Sequence, residues 1–224
     1  EGYKGLEEEI QGLKEILGDG KIENAALEPV FENKNEGFQT SGQAQYVATA
    51  GNFAEAGYEY TGALRILKVM LSYEYLWTNI RVKGGAYGCM SGFRRTGDGF
   101  LVSYRDPHLK NTLEVFQKTG DFIRSFEADE REMTKYIIGT ISELDAPLTP
   151  SAKGSMSLNA WFSGITREDM QKERDEILDA QPEDIRNLAG IVDAIVGQDR
   201  ICVIGSEEKI QQDKAVFKEV KHLL

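Results

Sequence analysis

Arg81 and Tyr87 sit six positions apart in Arg81-Val82-Lys83-Gly84-Gly85-Ala86-Tyr87, with two adjacent glycines between them. A guanidinium and a phenol held on one rigid helix–strand junction could grip peptide carbonyls or a developing oxyanion. The glycines would let the backbone and both side chains come close to whatever is bound. The same residues also have a purely structural account. An arginine favours the negative end of a helix, Gly84-Gly85 is an ordinary helix stop, and a tyrosine commonly begins a strand. Spacing alone leaves both open.

Other chemistries find less support. His108 and His222 have no histidine partner three or four positions away, so the chain lacks a histidine-based zinc site. No nucleophile-elbow motif accompanies them, and both read as solvated side chains. Cys89 and Cys202 match no metal spacing and read as two small buried thiols, not as a disulfide. "KGGAYG" lacks the lysine and hydroxyl placement of a phosphate loop. "EADERE" and "KERDEI" interleave acids and bases on helical patterns and read as solvated faces.

Net charge sets the partners that are excluded. With 37 acidic against 26 basic residues the chain carries −11, which repels nucleic acid and anionic membranes. The longest apolar stretch, "ALRILKVMLSYEYLWTNI", contains Arg65, Lys68 and Glu74 and reads as a buried helix, not a membrane span. The opening "EGYKGLEEEI" has neither a basic region nor an apolar core of a signal peptide, and it lacks an initiator Met, as a piece of a larger protein would.

The elements that would position Arg81 and Tyr87 follow from periodicity. Leu6, Ile10, Leu13 and Leu17 mark a lead-in amphipathic helix, closed by "GDGK" and followed by an irregular stretch from Ala25 to Asn35. "GFQTSGQAQYVATAGNF" reads as a strand centred on Tyr46 and Val47, and residues 61–80 as one long buried helix. "AYGCMSGF" and "FLVSYRD" read as a hairpin turned at Gly97-Asp98-Gly99. Asp106-Pro107 is expected to open a helix, Asp129 to cap the next, and "APLTPSAKG" to break the chain. Thr166 with Asp169 forms a capping box, Pro182 starts a further helix, "ICVIG" is a buried strand, and Ser206 caps a final helix. Strands near 42–49, 86–93, 99–104 and 201–204 are expected in one sheet. The fold class is α+β: a largely antiparallel sheet with helices mainly on one face. Residues 1–34 form a lead-in helix and irregular connection, and 35–224 one domain.

Six segments carry a family resemblance: "NEGF", "YLWTNIRVKGGAYG", "SYRDPHLKNTLEVF", "IIGTISELDAP", "AKGSMS" and "GITREDMQKERDEIL". In this order they resemble the C-terminal domain of the presequence-protease subgroup of insulinase-type (pitrilysin superfamily) zinc metallopeptidases, from about Asn35 onward. The resemblance implies four related α+β domains closing around a chamber that degrades unstructured peptides. Zinc would be bound in the N-terminal half by an inverted H-x-x-E-H motif, and this chain, as the fourth domain, would hold no metal. The family's R-x-K-G-G-A-Y motif contacts substrate near the scissile bond, and it maps onto Arg81, Gly84, Gly85 and Tyr87. Arg81 would position the substrate carbonyl region and Tyr87 would donate to the oxyanion. "GQAQYV" and "TPSAKG" depart from the family pattern without touching that motif.

The resemblance thus implies the non-zinc domain of a metalloendopeptidase, inactive alone, whose partner is the rest of its own polypeptide. Its compartment would be the bacterial cytoplasm or an organelle matrix. A non-catalytic structural subunit and a peptide-binding module of the same superfamily are the alternatives.

Overall fold

A computed structural model of the chain describes residues 5–17 and 35–223. It divides into two units, Glu1–Glu32 and Asn33–Leu224. In the first, α1 (Leu6–Leu17) is the expected amphipathic helix, with Glu7, Glu8 and Glu9 in its first turn, where the helix dipole favours acids. The turn expected at "GDGK" and the irregular stretch from Ala25 fall almost wholly outside the described residues.

The second unit is built on six strands: β1 (Glu36–Thr40), β2 (Gln45–Asn52), β3 (Gly88–Phe93), β4 (Asp98–Asp106), β5 (Arg200–Ser206) and β6 (Glu219–His222). Its helices are α2 (Ala63–Met70), α3 (Lys110–Gln117), α4 (Thr119–Arg124), α5 (Glu130–Leu144), α6 (Pro150–Ser163), α7 (Arg167–Leu178), α8 (Pro182–Asn187), α9 (Ala189–Gly197) and α10 (Glu207–Gln212). The strands form one sheet in the order β3-β4-β2-β5-β1-β6. The anticipated strands are all in it, antiparallel from β3 through β4 and β2 to β5. β1, however, pairs in parallel with both β5 and β6.

One face of the sheet holds the core. Gly37, Val203, Val47 and Ser103 stand side by side across four strands, and all four are buried. Residues paired directly across strands point the same way, so this row defines the covered face. α9 packs on β2 and β4 there, and Ile210 of α10 lies over Gly37. The opposite row keeps Tyr46 and Ile204 exposed. β2 alternates buried with open positions along its length, the signature of a sheet covered on one side.

Several local expectations change. The stretch read as one strand from Gly37 to Phe53 is two, β1 and β2, and these do not pair with each other. Gly42 and the polar residues around it break the alternation. α3 begins at Lys110, not at Pro107: Asp106 ends β4 and accepts from the His108 N–H at 2.9 Å. "APLTPSAKG" breaks the chain only in its first half, between α5 and α6; from Pro150 it opens α6, with Thr149 accepting from the Ala152 N–H at 3.2 Å. Ser206 caps α10 as expected, but that helix is six residues long and the chain goes on into β6. β5 is only partly buried, and Cys202 within it is exposed. Thr166 forms the expected capping box with Asp169, and Asp129 caps α5 as expected, in a box that also takes in Glu132.

Candidate functional site

The long apolar helix reaches the site by changing its winding. After α2 it continues as π-helical turns over Leu71–Tyr75 and Trp77–Val82. Such wide turns are uncommon and occur often at functional sites. Within the second of them the Arg81 guanidinium lies over the Trp77 ring, 4.8 Å from its centroid.

Both glycines are required by the turn that follows. Gly85 has φ +78, a left-handed backbone that glycine adopts without strain. At Gly84 a Cβ would stand 2.5 Å from the Ile80 carbonyl oxygen, so no larger residue fits. The Gly85 N–H donates to the Arg81 carbonyl at 2.9 Å and the Ala86 N–H to that of Ile80 at 3.1 Å, which satisfies the last carbonyls of the helix. Gly84 and Gly85 therefore shape the junction, as the structural account holds.

Arg81 and Tyr87 are brought together there. The Arg81 guanidinium lies 5.5 Å from the centroid of the Tyr87 ring, and its Nη1 donates to the Tyr87 carbonyl and, at 3.5 Å, to that of Ala86. Tyr87 also meets Tyr104 of β4 edge to face, with centroids 5.4 Å apart. Its N–H donates to the Arg105 carbonyl at 3.2 Å, which stitches the junction to the end of β4. Tyr87 is 57% exposed. Arg81, Val82, Gly85, Ala86, Tyr87 and Arg105 line one open depression of about 500 Å3.

Local spacing gave no sign of Arg105, the sixth lining residue. A larger groove of about 1000 Å3, bordered by α5, α6 and α7, also contains arginines. Three of its four arginines are occupied: Arg65 and Arg95 pair with Glu173, and Arg174 grips Asp145 through two bonds of 2.6 and 2.8 Å, while the fourth, Arg167, is exposed. Burial opposes ionisation of Glu173, but hydrogen bonds from Arg65, Tyr60 and Arg95 outweigh it and hold its carboxyl below the usual range. Burial pushes the Tyr60 phenol up to about 12 and the Cys89 thiol up to about 11. The "KERDEI" stretch is thus not wholly a solvated face, because Glu173 is buried at its centre.

Zinc does not fit the described residues. Among the described residues there is no group of three or more His, Cys, Asp and Glu able to hold a metal ion. Both histidines are exposed. No described helix is long and apolar enough to cross a membrane.

This sheet, covered on one face, is the fold of the insulinase/pitrilysin-type peptidase domains. Pitrilysin matches 87% of this chain with a TM-score of 0.55 at 18% identity, over 22% of its own length. The inactive peptidase domain of a putative zinc protease from Bordetella parapertussis matches 74% of this chain and 91% of itself, with a TM-score of 0.55 and 14% identity. More narrowly, residues 35–207 match the family model of the PreP C-terminal domain, and the chain belongs to that family. Protein HypA of Clostridium perfringens is 44% identical over 99% of this chain. Presequence protease 1 of Arabidopsis thaliana, named as chloroplastic/mitochondrial, is 36% identical over 85% of it. The chain spans 24% of the Clostridium protein's length and 18% of the Arabidopsis one's.

Proposed function

We propose that this chain supplies substrate-binding and transition-state contacts to a zinc metalloendopeptidase whose metal site lies in the rest of the polypeptide. The observation that carries this reading is the convergence of the Arg81 guanidinium and the exposed Tyr87 on one depression. The Tyr87 hydroxyl donates to the oxyanion that develops on the scissile carbonyl. Arg81 keeps N–H donors for a neighbouring substrate carbonyl while its Nη1 holds the loop. The glycine turn lets an extended peptide approach the backbone between them. Residues 35–224 act as the last domain of a chamber that admits unstructured peptides, with residues 1–34 as its lead-in. The compartment is that of the named relatives, an organelle matrix, or the cytoplasm of a bacterium.

A test compares the full-length protein with this chain alone on a quenched fluorogenic peptide, with metal analysis after dialysis. The expected outcome is chelator-sensitive cleavage by the full-length protein, and neither cleavage nor stoichiometric zinc for the chain alone. A full-length protein that binds peptides without cutting them would favour the non-catalytic module. Zinc-dependent cleavage by the isolated chain would overturn the division of labour.

A further inference from the structure

β4 alternates between its faces until its last residues. Gly99, Leu101 and Ser103 are buried while Phe100, Val102 and Tyr104 are half-buried, so simple alternation would turn Arg105 into the core. A β-bulge prevents this. Between the Val47–Ser103 and Gln45–Asp106 pairs, β4 carries Tyr104 and Arg105 where β2 carries only Tyr46. Arg105 takes up the extra residue with φ +49, in the left-handed region that a side chain such as arginine enters at a cost. The bulge returns Asp106 to the core, where it accepts from the Thr112 hydroxyl at 2.7 Å, and it leaves Arg105 exposed.

The exposed guanidinium goes to the site. Its Cζ lies over the Tyr87 ring, 5.7 Å from the centroid, on the residue whose carbonyl holds the Tyr87 N–H. Arg81 has carbonyl partners, but Arg105 has no ion pair and no side-chain hydrogen bond among the described residues. The depression is lined by two guanidiniums and no carboxylate, in a chain of net charge −11. A cationic opening on an acidic molecule calls for an anion from outside. A guanidinium fork matches a carboxylate through two parallel N–H···O bonds.

We infer that Arg105 is a specificity-determining residue of this site, engaging a carboxylate of the bound peptide. This rests on the peptidase reading above. Such a carboxylate comes from an Asp or Glu side chain or from the peptide's C-terminus.

The test uses the full-length protein and a short neutral peptide with an amidated end, through which a single Glu or Gln is scanned. At one position Glu is expected to raise kcat/KM over Gln on the order of tenfold or more, mainly through KM. In Arg105→Asn, which tolerates the left-handed backbone, the Glu-to-Gln ratio should fall to about one. Arg105→Lys should keep part of it, and guards against misfolding of the first variant. If a free C-terminus gives the gain where no internal Glu does, the chain end is the source of the carboxylate. A ratio near one in the wild type, or a ratio unchanged in Arg105→Asn, overturns the inference while cleavage of the neutral peptide leaves the peptidase reading intact. If no peptide is cleaved, that reading falls and this inference with it.

Discussion

Tyr87 is exposed yet held firmly. Its carbonyl is gripped by Arg81, its N–H by Arg105, and its ring packs against Tyr104. A hydroxyl on so fixed a ring can be aimed at a charge that exists only in the transition state. Tyr87→Phe in the full-length protein is expected to cost about 3–4 kcal/mol, or a hundredfold to a thousandfold in kcat, with little change in KM. Arg81→Ala should raise KM as well as lower kcat, because it would remove the proposed substrate contact and also release the Tyr87 carbonyl. The two effects share a path, so the double variant should lose less than the product of the singles. Steady-state kinetics beside thermal melts checks all three. Near-normal kcat in Tyr87→Phe would remove the oxyanion role, and losses that follow stability alone would make the junction merely structural.

At the scale of elements, α7 anchors the long helix that ends in Arg81. Glu176 accepts from the Gly62 N–H at 2.6 Å, capping a helix start that has no side-chain cap of its own. Glu173 takes Arg65, Arg95 and the Tyr60 hydroxyl. Glu173→Ala should destabilise the domain by about 2–3 kcal/mol, below the full cost of a broken buried pair because Arg65 and Arg95 are 43% and 32% exposed. The folded carboxyl titrates below its ordinary value of 4.5, so its contribution is present above that pH and is lost as pH falls through the folded value. The gap in urea midpoint between wild type and Glu173→Gln should therefore be full at pH 7 and shrink below 4.5. A gap that persists in acid would refute this account.

The same elements show what the sequence made legible. The Asp129 cap, the Thr166–Asp169 box and the Arg81–Tyr87 junction lie in contiguous residues whose chemistry acts over one turn, and each is legible. The hairpin is legible too, but its turn is Arg94–Gly97, with Asp98 and Gly99 already in β4. Glu173 was not, because its two arginines come from α2 and the β3–β4 turn and nothing in "KERDEI" marks their approach. The Arg105 bulge depends on a residue count against β2, far back in the chain. The π-helical turns leave the apolar pattern of 61–80 unchanged. β6 leaves no mark in the sequence, because an edge strand of four residues, with Lys221 bonded to Glu36 at 2.8 Å, carries no long apolar run.

The second unit depends on its first and last strands meeting. β1 lies between β5 and β6, and the Asn35 side chain accepts from the Ile201 N–H across 166 residues of sequence. Deleting residues 219–222 would expose one edge of β1 and remove the Lys221–Glu36 pair. That truncation is expected to lower the melting temperature and promote aggregation, measured by calorimetry and light scattering. Unchanged values in both would show that β6 adds nothing. The parallel pairing also has a consequence in time. During synthesis at about 5–20 residues per second, β1 emerges roughly 8–30 s before β5 is available to it. Until then it is a strand without a neighbour. Glu-Gly-Phe-Gln-Thr, with one large apolar residue and a glycine, is a sequence suited to waiting, since it offers little for a stray partner on another nascent chain to hold.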